Sequence, residues 1–155
     1  MEISCTKSWD IPDEVMHGIA ADLITAAIEG GINYWGAVSE YRWGCPSLGH
    51  SDDRPWTEGE LPYAVATVHD VEDRDFPPTE VDAPKVIEAL KKILCGQIKP
   101  FYTLGYGAST YAMRLTKHLD DIVAGAKPDE TEYDYDASDA EMVIQVALFG
   151  EVVYG

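Results

Sequence analysis

A chain of 155 residues with 46% apolar side chains can bury about 70% of its unfolded surface as one domain, so it needs neither metal nor disulfide to fold. Its 28 acidic and 11 basic residues leave a net charge of −17, which repels phosphate backbones and anionic lipid and argues against direct binding to nucleic acid or membrane. Three cysteines, Cys5, Cys45 and Cys95, are odd in number and lack a Cys-x-x-Cys pair, so they read as reduced thiols rather than a disulfide framework.

Residues 2–8 are short enough to be an edge strand. Asp10, Pro12, Asp13 and Glu14 then form a helix-start signal, with a capping acid, a first-turn proline and acids that complement the helix dipole. Val15, Ile19, Leu23, Ala26 and Ala27 recur at helical spacing, which predicts a helix over 12–29, ended by a left-handed cap at Gly30-Gly31. The aromatic-rich alternation from Tyr34 to Trp43 predicts a strand with Trp35, Ala37, Ser39, Tyr41 and Trp43 on one face. Residues 44–60, rich in Gly, Pro, Ser and Asp, read as a long polar loop. Tyr63–Val71 is a second strand, and residues 72–82 read as a turn.

Asp82-Ala83-Pro84 opens a helix through Cys95, with Val86, Ile87, Leu90, Ile93 and Leu94 as its apolar stripe. A third helix is expected over 108–124 and a fourth over 138–149, capped by Ser138 or Asp136. Between them, 125–137 reads as an acidic loop or linker. No βαβ alternation and no repeat is visible, so the expected fold is α+β: about four helices on a small antiparallel sheet, as a single domain over 1–155. No stretch approaches the roughly 20 apolar residues of a membrane span. The N-terminus lacks the basic and apolar regions of a signal peptide, so the expectation is a cytoplasmic protein.

Motifs for chemistry are thin. Cys45-x4-His50 with His69 or Cys95 matches no standard zinc spacing. His69 and Asp70 fall on opposite faces of a strand and cannot form a dyad there. Gly30-Gly31 lacks the third glycine and preceding strand of a dinucleotide fingerprint. No cofactor, metal or catalytic residue is therefore assigned.

Two readings remain for the distinctive segments. Glu29, Asn33, Tyr34, Trp35 and Arg42 would form a pocket in which an aromatic ring stacks a planar ligand, such as a nucleotide signal. Alternatively, residues 29–35 are simply a helix end covered by aromatics. Charge is uneven: residues 1–60 hold eleven acids and three bases, and residues 129–155 hold eight acids and no base. Asp129, Glu130, Glu132, Asp134 and Asp136, interleaved with tyrosines, would present carboxylates to a basic groove, with Asp52 and Asp53 as a second patch.

The segments Glu29-Gly30-Gly31-Ile32-Asn33-Tyr34-Trp35 and Ala147-Leu148-Phe149-Gly150-Glu151-Val152-Val153-Tyr154-Gly155 resemble a family of small uncharacterised proteins encoded by bacteriophages and related mobile elements. That resemblance carries no activity; it implies a phage-borne accessory protein in a bacterial host's cytoplasm. Joined with the acidity, it leads to the expectation of a non-enzymatic, anti-CRISPR-like inhibitor. Such a protein would bind the basic surface of a host nucleic-acid-handling defence complex. The alternatives are the small-ligand module and a structural accessory whose acidity only keeps it soluble. Homo-oligomerisation is left open.

Overall fold

A computed structural model describes residues 11–94, 121–125, 127 and 136–154. In chain order the elements are helix α1 (Asp13–Gly30), a 3-10 turn (Ile32–Tyr34), strands β1 (Gly36–Cys45), β2 (Gly49–His50), β3 (Tyr63–Asp70) and β4 (Thr79–Val81), and helices α2 (Ala83–Leu94) and α3 (Ala137–Phe149). The expected helix over 108–124 lies mostly outside the described residues, although 121–123 are helical. The fold is α+β, with helices packed on one face of an antiparallel sheet ordered β2-β1-β3-β4. Strict alternation along β3 shows which face: Ala64, Ala66, Val68 and Asp70 are buried, and the residues between them are half-buried.

Helix α1 begins where Pro12 takes the N-cap position. Its carbonyl accepts the N–H groups of Val15 and Met16, while Asp13 and Glu14 complement the helix dipole. Met16, Ile19, Ala20, Leu23, Ile24 and Ala27 form its buried stripe. The C-terminal end differs from expectation. Gly30 is the last helical residue, and Gly31 has φ −128°, so neither glycine supplies a left-handed cap. Glycine is needed there for close approach. A Cβ on Gly31 would lie 2.5 Å from the Ala137 carbonyl oxygen and 2.8 Å from the Glu141 Cβ, so the start of α3 sits almost on the backbone of α1.

Helix α3 opens with a capping box. The Asp136 carboxylate accepts the Asp139 N–H at 2.9 Å, and the Asp139 carboxylate accepts the Asp136 N–H at 3.1 Å. Of the two expected caps, Asp136 is therefore the one used. Gly150, at φ 78° with its N–H on the Val146 carbonyl, closes the helix in the left-handed geometry. From Asp139 to Val146 every residue except Met142 is buried, because α3 packs against both α1 and α2. A helix in that position has little room for a polar face, yet Glu141 and Gln145 are buried within it.

Those two side chains are satisfied by a single network. Glu141 Oε1 accepts the Trp35 indole N–H at 2.8 Å and the Tyr34 hydroxyl at 3.0 Å, and also the Gln145 amide N–H. Gln145 in turn holds the tail: its Oε1 accepts the N–H groups of Val153 and Tyr154, both at 2.8 Å, and its amide donates to the Tyr154 carbonyl at 2.9 Å. The Tyr154 ring stacks on Trp35 with centroids 5.5 Å apart, and its hydroxyl donates to Asp70 at 2.7 Å. Segments 29–35 and 147–154, distant in sequence, thus form one structural unit.

Strand β1 departs from simple alternation. Ser39 pairs with Thr67 and Arg42 with Val65, so one extra residue is inserted in β1. Glu40 takes φ 53° at this bulge, an uncommon conformation for a residue with a Cβ. Beyond it the faces exchange. Tyr41 and Trp43 turn toward α1, with the Tyr41 hydroxyl 3.1 Å from Thr25 Oγ1, while Ala37, Ser39 and Arg42 share the opposite face. Trp35 belongs to neither face, because it precedes the strand. The segment 72–82 is more than a turn, because Thr79–Val81 pairs with β3 as strand β4.

Removing the acceptor at the centre of the network leaves the buried Trp35 N–H unpaired and strips one partner each from Tyr34 and Gln145. Glu141→Ala is expected to cost about 2–3 kcal/mol, and Glu141→Gln, which keeps an acceptor, clearly less. Urea denaturation checks this, and a loss below about 1 kcal/mol for the alanine variant would contradict the clamp. The network also sets an alkaline limit. Burial, then the Glu141 carboxylate, push the Tyr34 phenol up to about 12 from the usual 10. The hydrogen bond to Asp70, then burial and neighbouring acids, push Tyr154 up to about 12. Between these values the unfolded chain has lost phenolic protons that the folded chain keeps, so stability falls as pH rises from about 10 to about 12. Tyr34→Phe with Tyr154→Phe should flatten that slope in denaturation curves recorded across the range.

Candidate functional site

The bulge that turns Tyr41 and Trp43 inward also opens a groove of about 490 Å³ between α1 and the β1–β2 hairpin. On α1 it is lined by Gly18, Ala21, Asp22, Thr25 and Glu29, which recur at three- and four-residue spacing along one side of the helix. Three of these are small, and that leaves the space. The opposite wall consists of Tyr41, Trp43, Gly44, Cys45, Pro46 and Leu48, with Pro62 and Tyr63 completing it. Leu48 is 74% exposed at the lip. The volume lies within the ~300–1,000 Å³ range of small-ligand sites.

The walls are apolar and aromatic, and among the described residues that line it the charged groups are two carboxylates, Asp22 and Glu29. Burial pushes the Tyr41 phenol up, and the charge of Glu29 adds to this while the Thr25 hydrogen bond opposes it. The phenol therefore stays neutral at ordinary pH.

Residues 44–60 have more structure than a loop. Cys45 pairs with Gly49 and Gly44 with His50, so the first part is a hairpin. His50 is 4% exposed. Its Nδ1 lies 2.8 Å from the Tyr63 hydroxyl, and its ring stacks 5.4 Å from Trp56. Glu60 Oε2 lies 2.8 Å from Nε2, at ion-pair distance but without hydrogen-bond alignment. Gly44 lies beneath this cluster, where a Cβ would come within 2.5 Å of the Tyr63 ring and 2.8 Å of His50 Nδ1.

The residues singled out from the sequence are distributed as follows. Trp35 is fully buried, with Tyr154 against one face and its N–H spent on Glu141, so it offers no surface for a stacked ligand. Tyr34 is 52% exposed, but its hydroxyl is held by Glu141 and by the Tyr154 carbonyl at 3.2 Å. Asn33 is exposed in the 3-10 turn. Arg42 faces away from the helices, and only Glu29 reaches the groove. The proposed ligand set is thus divided over three places.

Among the acids, Asp52 accepts the Arg54 Nε–H at 2.8 Å, Asp53 sits at φ 65° in the β2 turn, and Asp136 is occupied as a cap. Asp129, Glu130, Glu132 and Asp134 lie outside the described residues, as does Cys95. His69 faces away from Asp70, bonding Ser39 at 2.9 Å. Among the described residues no group of three His, Cys, Asp or Glu could hold a metal ion, and no helix is long and apolar enough to cross a membrane.

The chain matches no protein-family model, and neither a curated protein nor a solved structure is detectably similar to it.

Glycine at position 44 is a steric requirement of the His50–Tyr63 packing. Gly44→Ala is expected to destabilise the fold by about 1–3 kcal/mol through overpacking, read as a lower denaturation midpoint. An unchanged midpoint would mean that His50 and Tyr63 are free to move aside.

Proposed function

We propose that this protein is a non-enzymatic, phage-type inhibitor that occupies a basic protein surface on a host nucleic-acid-handling defence complex. The observation that carries this reading is the net charge of −17 together with its placement. Among the described residues the only buried carboxylates are Asp70, Asp139 and Glu141, and the other acids reach solvent. Charge displayed in this way raises the rate of encounter with basic surfaces and makes association sensitive to salt. The host context is part of this proposal and rests on the resemblance noted for segments 29–35 and 147–155.

A second reading, a small-ligand module, is favoured by the groove itself. Its aromatic walls come from Tyr41 and Trp43 rather than from Tyr34 and Trp35. The carboxylates at its edge oppose a phosphorylated ligand and favour a cationic or neutral one.

Capture from a bacterial host lysate on the immobilised chain, at low and high salt and with a competing oligonucleotide, tests the inhibitor reading. The expected result is a basic, nucleic-acid-binding complex that is retained at low salt and released both by high salt and by the oligonucleotide. Retention of nothing, or of a partner indifferent to both, would remove it.

A further inference from the structure

We propose that the groove between α1 and the β1–β2 hairpin is an anchor site for an arginine side chain presented by the protein partner. This inference rests on the reading that the chain docks on basic protein surfaces, and it names what such a surface would insert.

Three features of the groove select that chemistry. Tyr41 and Trp43 bring aromatic rings to the groove beside small helix residues, and a planar guanidinium stacks on aromatic rings better than a compact ammonium does. Leu48, Pro46 and Pro62 supply apolar surface for the three methylene groups of the stem. Glu29 ends the groove as an exposed carboxylate close enough to Tyr41 to act on its ionisation, and can accept two guanidinium N–H groups.

Competing occupants fit less well. A purely apolar side chain would strip water from Glu29 without replacing its hydrogen bonds, which is unfavourable. A phosphate or carboxylate group would meet the like charge of Glu29, with no base among the described lining residues to offset it. The groove is also unlike a catalytic pocket. The His50 cluster packs over Gly44 and Tyr63 and is closed by Trp56 and Glu60, so its imidazole is held within the protein.

The test uses the full chain labelled with ¹⁵N and three small probes: N-acetyl-argininamide, the citrulline counterpart of the same shape without charge, and N-acetyl-leucinamide. The arginine probe should give saturable amide shifts confined to α1 from Gly18 to Glu29 and to β1 from Tyr41 to Cys45. A probe of this size should bind with a dissociation constant on the order of a millimolar. The citrulline probe should bind about tenfold more weakly, since its N–H groups remain but the charge that strengthens their contact with the carboxylate is lost. Glu29→Gln should weaken arginine binding about three- to tenfold with an unchanged melting temperature, because Glu29 is exposed.

Equal binding of citrulline, tighter binding of leucinamide, or no saturable shift would each overturn the assignment. These outcomes are separable from the fate of the inhibitor reading. Salt-sensitive capture of a host complex with no response to the arginine probe removes only the anchor. A saturable arginine response with no captured complex keeps the groove's chemistry and removes the host surface.

Discussion

A carboxylate buried inside a helix bundle is tolerated only when its lone pairs are filled, and Glu141 is the point on which this structure depends. Its side chain faces the interior from the centre of α3, where desolvation of a charged group is costly. Trp35, Tyr34 and Gln145 all direct donors at the same oxygen. The donors come from two separated parts of the chain, and the third of them, Gln145, clamps a further part through the backbone of residues 153 and 154. An apolar residue at 141 would bury as well, but it would leave the buried Trp35 N–H without an acceptor and throw Tyr34 and Gln145 back on the Tyr154 carbonyl alone. The network thus ties α1, α3 and the C-terminal tail into a single relative placement.

That placement propagates. Because α3 must come close enough for Glu141 to reach Trp35, the end of α1 can carry no side chain at Gly31. Trp35 is then held in a turn and cannot be the first residue of a strand, so β1 starts at Gly36. The bulge at Glu40 follows a few residues later and reverses the faces of what remains. Without it, Tyr41 and Trp43 would stay on the outer face with Ala37 and Ser39, and Glu40 and Arg42 would be turned toward α1. The groove is thus a consequence of two constraints: small residues along α1, and one inserted residue in β1.

The parts of this fold that were legible in the sequence are those governed by local periodicity. Helices α1, α2 and α3 and strand β3 follow from apolar spacing and capping residues, and the expected boundaries of all four lie within about two residues of those in the structure, the usual uncertainty at helix ends. What could not be read depends on tertiary contact. The glycine pair 30–31 looks like a left-handed cap, because proximity to a helix more than 100 residues later leaves no local trace. A bulge looks like ordinary alternation until the partner register is known, and the error then passes to every residue beyond it. Plain alternation therefore groups Tyr41 and Trp43 with Ser39, on the face opposite to the one they occupy. One signal was available in hindsight: Glu141 and Gln145, four apart in an otherwise apolar helix, needed partners, and the Tyr-Trp pair at 34–35 was rich in donors. Strand β4, three residues long between prolines and an acid, carries too little pattern to be distinguished from a turn.

Surface charge and the groove would divide the work of recognition on the proposed reading. A net charge of −17 acts over about a Debye length, roughly 8 Å at physiological salt, and draws in any basic surface without distinguishing among them. Selectivity has to come from short-range contacts that pair charge with shape. The groove offers both within one concavity, with aromatic walls at van der Waals range and a carboxylate at the end. It also lies on an element held rigidly from the opposite side, since the same helix α1 whose outer edge lines the groove is locked at its C-terminal end by α3. A site built on a helix fixed in this way pays little ordering entropy on binding. On that reading the buried network also serves recognition, because it keeps the α1 wall of the groove in register with the bulged strand opposite.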